Sequence, residues 1–285
     1  MNKLKSYYVS IYVSLLFFAA FHSCYVIFYK PFDLAWLGAA IALLPAAGMF
    51  LYLVSFRVAR TSQNLPFVLY CSVFGAFISL VGYGFFDGSL LAFTYSVGVG
   101  LLGFLLYDFW YSRFDRASNS LLEQGNTLPE FDLFDLSGER LCSSSFVGKA
   151  TLFIFYRGNW CPLCMAQIKE VAKQYQEIAA KGVEVALISP QPHTYTQQLA
   201  NKFNVPYRFF VDVDNKAARQ LSIVNEDGTP AGMGALGYDS ETVFPTVLLT
   251  NAKGELVYVD LTENYRVRPE PDEFLRIIDE ANLAS

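Results

Sequence analysis

The residues best placed to do chemistry are two cysteines three positions apart, Cys161 and Cys164, in the stretch FYRGNWCPLCMAQ. A thiolate is both a nucleophile and a metal ligand, so the pair admits three readings: a redox dithiol, half of a metal site, or two inert core side chains. A zinc site needs two further Cys or His ligands, and the second half of the chain adds only Cys142 and His193, neither in paired spacing. The local pattern favours the dithiol. ATLFIFYR reads as a buried strand and CPLCMAQIKEVAKQYQEIAAKG as an amphipathic helix ending at Gly182, which places Cys161 on the turn between them. Pro162 suits the first helical turn, where a missing N–H has no partner to lose. Free backbone N–H groups and the helix dipole favour an anion there. The sequence therefore predicts that Cys161 is exposed and the more reactive thiol, with Arg157 as a nearby cation. Cys164, one turn further on, is expected to face inward and to resolve a mixed disulfide formed at Cys161.

These residues need a scaffold, and the rest of the second half supplies an alternating one. FDLFDL, VEVALIS, YRFFVD, FPTVLLT and ELVYVD read as strands; TYTQQLANKF, NKAARQLS and DEFLRIIDEA read as helices. Alternation of this kind predicts an α/β sheet covered on both faces. The polar stretch YSRFDRASNSLLEQGNT ahead of it reads as a linker, giving a membrane region over 1–112, a linker over 113–126 and an α/β domain over 127–285.

The first part of the chain has a different solvent. The 285 residues are 53% hydrophobic with mean hydropathy +0.30, too apolar for one soluble globule. Charge is uneven: residues 1–116 carry seven Lys/Arg and four Asp/Glu, and the remainder 14 and 22. Four stretches lack any charged residue: Ser6 to Tyr29, Leu34 to Phe56, Thr61 to Phe86 and Gly88 to Tyr107. About 20 helical residues cross a hydrocarbon core of about 30 Å, so each is expected to be a transmembrane helix rather than a cleaved signal peptide. Lys3, Lys5, Arg57, Arg60, Arg113 and Arg116 flank one side of a four-pass layout and only Lys30 the other. Basic flanks stay cytoplasmic, so the expected location is an integral membrane protein of the cell inner membrane with its α/β domain in the cytoplasm. A structural disulfide is disfavoured there. The acidic second half has no footprint for nucleic acid.

Other features of the apolar half have plainer readings. GVGLLG (98–103) matches a dinucleotide-binding pattern letter for letter, but it lies inside an apolar run with no preceding strand, so it reads as helix packing through small residues. Cys24 and Cys71 fall near opposite ends of their spans and should not pair. His22 alone completes neither a haem nor a zinc shell, and reads as a hydrogen-bonded residue within the bundle.

From about Thr127 onward the chain resembles the thioredoxin-like superfamily, and within it the alkyl hydroperoxide reductase/thiol-specific antioxidant (peroxiredoxin-like) group. The resemblance rests on LPEFDLFDLSGERL, FYRGNWCPLC, FFVDVDNKAARQLSI and FPTVLLTNAKGELVY. It implies a thioredoxin-like fold, catalytic Cys161 and Cys164 shaped by Trp160, and Pro245 as a cis-proline beside the active cysteine. The family's PxxxTxxC motif here reads Arg157, Cys161, Cys164, so Cys164 takes the peroxidatic place and Cys161 that of the thioredoxin nucleophile.

The expected function is a membrane-anchored thiol–disulfide oxidoreductase, with peroxide reduction as a further activity. Its partners would be the lipid bilayer, a disulfide or peroxide substrate, and a thioredoxin- or glutathione-type electron donor; no flavin, nicotinamide or metal site is legible. The alternative is an electron conduit across the bilayer, as in the vitamin K epoxide reductase family, which the apolar half resembles in helix number but not in possessing an intramembrane CxxC. A binding module on an inactive thioredoxin fold is a third reading, opposed by the intact cysteine pair.

Overall fold

The computed structural model describes residues 2–56, 58–203 and 206–283. Arg57, counted above among the basic flanks, lies outside the described residues. Two compact units form: a helical one, Leu4–Arg57 and Ser62–Arg113, and an α/β one, Phe114–Ser285 with Met1–Lys3 and Val58–Thr61.

The helical unit contains α1 (Asn2–Tyr29), α2 (Leu34–Ser55), α3 (Pro66–Phe85) and α4 (Leu90–Tyr111), each long and apolar enough to cross a membrane. Small residues line the contact between α2 and α3, and large apolar side chains cover the outside, the reverse of a water-soluble surface. A Cβ on Gly38 would lie 2.3 Å from the Ser79 nitrogen and one on Gly75 2.4 Å from that of Ala42, so α2 and α3 touch backbone to backbone. Phe18, Phe21, Phe67 and Phe77 point outward and are more than half exposed. Gly100 and Gly103 of the GVGLLG run meet Ala42 and Tyr12, as packing residues do, whereas Gly98 faces open space. This part of α4 winds as a π-helix over Tyr95–Gly103 and again over Leu106–Tyr111, so the helix runs past Tyr107 and includes a buried Asp108. His22 Nδ1 lies 3.2 Å from the Tyr95 hydroxyl and its ring stands edge-on to Trp36, within the bundle as expected.

In the α/β unit the strands are β1 (Asp132–Phe134), β2 (Arg140–Cys142), β3 (Thr151–Phe155), β4 (Glu184–Ser189), β5 (Arg208–Val211), β6 (Val224–Asn225), β7 (Thr242–Val243), β8 (Thr246–Thr250) and β9 (Leu256–Asp260). Seven form one mixed sheet in the order β2-β1-β5-β4-β3-β8-β9, and β6 pairs separately with β7. β3 runs parallel to β4, and β4 to β5, while β8 is antiparallel to β3 and β9 to β8. All five residues of β3 are buried, so side chains on both faces of this central strand are covered. β1 lies within the expected strand FDLFDL, whereas β2, joined to it in a hairpin closed by an Asp135 carboxylate that accepts from the Ser137 and Glu139 N–H groups, has no counterpart in the sequence reading.

The helices are α5 (Pro162–Lys173), α6 (Tyr175–Ala180), α7 (His193–Ala200), α8 (Lys216–Gln220) and α9 (Pro271–Glu280). The helix expected from 161 to 182 is in fact two, because Gln174 leaves helical geometry at φ −99°, ψ 6°. Gly182, at φ +75°, ends the second piece as predicted. The stretch expected as a linker is fixed to the sheet: the Phe114 and Gly125 N–H groups donate to the carbonyls of Glu263 and Leu256, and Leu122 joins the hydrophobic core.

Candidate active site

The site is built where β3 ends. Tyr156 continues the strand by donating its N–H to the Ile188 carbonyl, and the chain then turns at Gly158, whose φ of +145° is a glycine conformation. A Cβ there would also lie 2.8 Å from Trp160 Nε1. The turn closes with the Cys161 N–H on the Gly158 carbonyl at 3.1 Å. Cys161 is the N-cap of α5, Pro162 is its first residue, and the Cys164 N–H donates to Cys161 Sγ at 3.3 Å. From the neighbouring β4–α7 segment, Gln191 Oε1 accepts from the Asn159 N–H while Gln191 Nε2 donates to the Tyr156 hydroxyl, which pins both ends of the turn.

Pro245 is brought to this turn by strand register. Phe155 pairs with Thr246 across the antiparallel β3–β8 ladder, so the residue before Thr246 sits opposite the residue after Phe155. The Pro245 peptide is trans, as are all described peptides, which corrects the cis geometry that the family resemblance implies. Its carbonyl is held by Arg116, which donates from Nη2 at 2.6 Å and from Nη1 to Thr246 Oγ1 at 3.1 Å. Arg157 lies beneath the turn, 5% exposed, donating to the Gly228 carbonyl with its guanidinium 4.5 Å from the Trp160 ring.

Contrary to the expectation of an exposed Cys161, both thiols are buried, at 2% and 1% exposure. The physical reason is that the turn leading into α5 is itself covered: Arg157 and Gly158 are buried and Asn159 and Trp160 half-buried. Burial by itself disfavours a thiolate at either sulfur. At Cys164 this is outweighed by a hydrogen bond from the Cys161 thiol, by the charge of Arg268, and by the N–H and charge of Arg157, which together bring it down to about 6. Cys161 goes the other way: burial, the hydrogen bond it gives to Cys164 and the negative charge there hold it well above the usual thiol range. The charges of Arg157 and Arg268 act on both thiols, so what separates them is the hydrogen bond that Cys161 gives to Cys164 and the Arg157 N–H at Cys164, which together make Cys164 the thiol that ionises first.

The structure thus gathers Arg157, Trp160, Cys161, Pro162, Cys164 and Pro245 around one turn. Sequence reasoning passed over Arg116, Arg268, Asn159 and Gln191, which complete it. Cys142 and His193 lie elsewhere: Cys142 on the edge hairpin, and His193 with Nε2 2.9 Å from the Leu136 carbonyl.

A central parallel pair flanked by antiparallel strands, with two thiols at the head of the helix leaving its middle strand, defines a thioredoxin-like domain of the thiol oxidoreductase class. Residues 124–259 match the model of the AhpC/TSA family. Chloroplastic peroxiredoxin Q of Gentiana triflora is 28% identical over 162 residues, 56% of this chain and 68% of that protein. The thiol-disulfide oxidoreductase ResA of Halalkalibacterium halodurans is 26% identical over 151 residues, 53% of this chain and 74% of that one. Among solved structures, peroxidoxin BcpB from Mycobacterium tuberculosis aligns over 56% of this chain and 97% of its own at 17% identity, with a TM-score of 0.47.

Proposed function

We propose that the protein is a membrane-anchored thiol–disulfide oxidoreductase in which Cys164 carries the reacting thiolate and Cys161 resolves. The observation that supports this most is the buried pair at the head of α5, in which Cys164 receives the Arg157 N–H and a hydrogen bond from the Cys161 thiol one helical turn away, with the charges of Arg157 and Arg268 favouring a thiolate in the pair. In the reaction, Cys164 Sγ attacks one sulfur of a substrate disulfide, forming a mixed disulfide and expelling the first thiolate, which takes up a proton. Cys161 then loses its proton and attacks Cys164 Sγ, which closes the Cys161–Cys164 disulfide and releases the second thiolate. Two electrons pass to the substrate. An external dithiol of thioredoxin or glutathione type restores the pair by the reverse exchange. Helices α1–α4 anchor the domain, and the basic flanks favour a cytoplasmic position for it.

A second reading, peroxide reduction, is favoured by the burial of both sulfurs, which suits a small oxidant better than a protein disulfide. Cys164 Sγ would then displace water or alcohol from a hydroperoxide, leaving a sulfenic acid that condenses with the Cys161 thiol and releases water.

Turnover of hydrogen peroxide and of insulin disulfides by the full chain, beside its Cys161→Ser and Cys164→Ser variants, tests both readings. Loss of insulin reduction in each variant is expected; insulin turnover that survives Cys164→Ser overturns the proposed nucleophile.

A further inference from the structure

With both thiols buried, a disulfide carried on a peptide reaches neither sulfur until part of their covering moves. The turn 157–160 ahead of α5 is tied to a second segment, the β6–β7 connection over residues 226–241. The base of that connection is fixed: β6 pairs with β7, the Thr242 hydroxyl donates to the Arg157 carbonyl at 2.9 Å, and the Arg157 guanidinium donates to the Gly228 carbonyl. The Thr229 N–H then closes on the Ser240 carbonyl at 3.0 Å, which sets off residues 230–239 as a tip.

The tip bonds largely to itself: Met233, Ala235, Gly237 and Tyr238 donate their N–H groups to the carbonyls of Pro230, Gly232, Gly234 and Met233. Part of it is open, since a Cβ on Gly232, Gly234 or Gly237 would meet nothing within 4 Å and Leu236 is 57% exposed. Its attachment to α7 runs through two half-buried tyrosines. The Tyr238 ring stacks on that of Tyr195, with centroids 4.9 Å apart and planes 9° from parallel, and the Tyr195 hydroxyl donates to the Leu236 carbonyl at 2.6 Å. The same two residues meet the turn. Asn159 Nδ2 donates to the Tyr195 carbonyl at 3.0 Å. A Cβ on Gly158 would lie 3.5 Å from Tyr238 Cε1, so that ring lies against the glycine whose carbonyl holds the Cys161 N–H. A stacked pair and a neutral hydrogen bond are each worth only a modest factor in an equilibrium, so this attachment opens far more readily than the fold itself.

We propose that Tyr195 and Tyr238 form a latch that sets which substrates reach the dithiol. This rests on the dithiol reading of the site. With the latch closed, the turn admits a molecule of peroxide size. With Tyr238 swung off Tyr195, Gly158 loses its outer cover, the turn is free to shift, and the pair admits a disulfide carried on a peptide. The two tyrosines select by size and take no part in the exchange itself.

The test compares two rates in the full chain in detergent, with Cys24, Cys71 and Cys142 changed to Ser so that only the pair reports: insulin-disulfide turnover, and single-turnover oxidation of the reduced pair by hydrogen peroxide. Tyr195→Phe removes the hydroxyl bond and keeps the stack; it should raise insulin turnover about fivefold, the weight of one neutral hydrogen bond in an opening equilibrium. Tyr238→Leu removes the stack and should raise it by a similar factor. Peroxide oxidation should stay near the parent rate in both. Equal gains on the two substrates overturn selection by size, and insulin turnover that is unmoved or lowered in either folded variant overturns the latch. Should Tyr238→Leu fail to fold, Tyr195→Phe decides alone. A Cys161→Ser, Cys164→Ser double variant separates the layers: insulin turnover that survives in it sinks the dithiol reading itself, whereas turnover that vanishes there but ignores both tyrosines counts against the latch alone.

Discussion

Arg116 clamps Pro245: its guanidinium donates to the Pro245 carbonyl at 2.6 Å and lies 4.7 Å from the ring of Phe244, the residue before it. The strand β8 thus begins under the control of a residue from the connection between the two units. Burial brings the guanidinium down to about 10, still charged at neutral pH. Arg116→Ala should destabilise the α/β unit by about 2 kcal/mol, the size of a hydrogen bond to a charged group, and lower disulfide turnover. Arg116→Lys should recover little, since an ammonium cannot serve the Pro245 carbonyl, the Thr246 hydroxyl and the ring together. Thermal unfolding and turnover of the two variants in detergent check this.

Limiting iodoacetamide on the reduced protein should label Cys164 before Cys161, with a rate that rises through about pH 6. Tandem mass spectrometry of the peptide carrying both cysteines reads the outcome. Label that favours Cys161 would return the nucleophile to the helix N-cap.

The same ionisation makes stability depend on pH. Cys164 loses its proton near 6 in the fold and near 9.0 in the unfolded chain, so between those values the reduced fold binds fewer protons than the unfolded chain. Its stability should therefore rise with pH across that window and the gain should vanish as pH falls below about 6. Cys161, shifted upward, opposes this only above its ordinary value of 9.0. Melting temperatures of reduced parent and Cys164→Ser at several pH values give the comparison; parallel curves would contradict the assignment.

Gly158→Ala should cost about 1–3 kcal/mol, because φ +145° suits glycine alone and the new methyl meets the Trp160 indole. The Trp160 fluorescence environment and the turnover number should change together. A variant with unaltered stability and activity would show that the turn has another conformation open to it.

A reporter phosphatase that is active only outside the cytoplasm, fused after Ser285, should stay inactive if the basic flanks set the orientation. Likewise, Cys24→Ser with Cys71→Ser should leave the redox state of the Cys161–Cys164 pair unchanged in cells when trapped with a mass-tagged maleimide. Phosphatase activity, or a pair locked in one state, would revive the transmembrane electron conduit.

Much of this protein is legible in its sequence because the signals are local. A run without charge is long enough to cross a bilayer or it is not, and a strand followed by WCPLC and an apolar-periodic helix places two thiols at a helix start whatever surrounds them. The reading of Gly182 as a helix end and of His22 as a bundle residue rests on the same short-range logic. Even the broken helix at Gln174 leaves that placement untouched. What the sequence cannot carry is the identity of groups that meet only through the fold. Arg60 and Arg116 read as basic flanks of apolar helices, yet the Arg60 guanidinium finds a carbonyl 208 residues away and Arg116 one 129 residues away. Arg268 sits in a stretch with no motif, and becomes notable only once it is buried with Nε and Nη2 unpaired. The choice between the two cysteines was decided in the same way: the helix N-terminus, visible locally, favours Cys161, whereas the burial of both thiols and the hydrogen bonds that favour the thiolate at Cys164 are assembled by tertiary packing. In a buried site the effective dielectric is low, so the hydrogen bonds that tertiary packing assembles there outweigh the local backbone field.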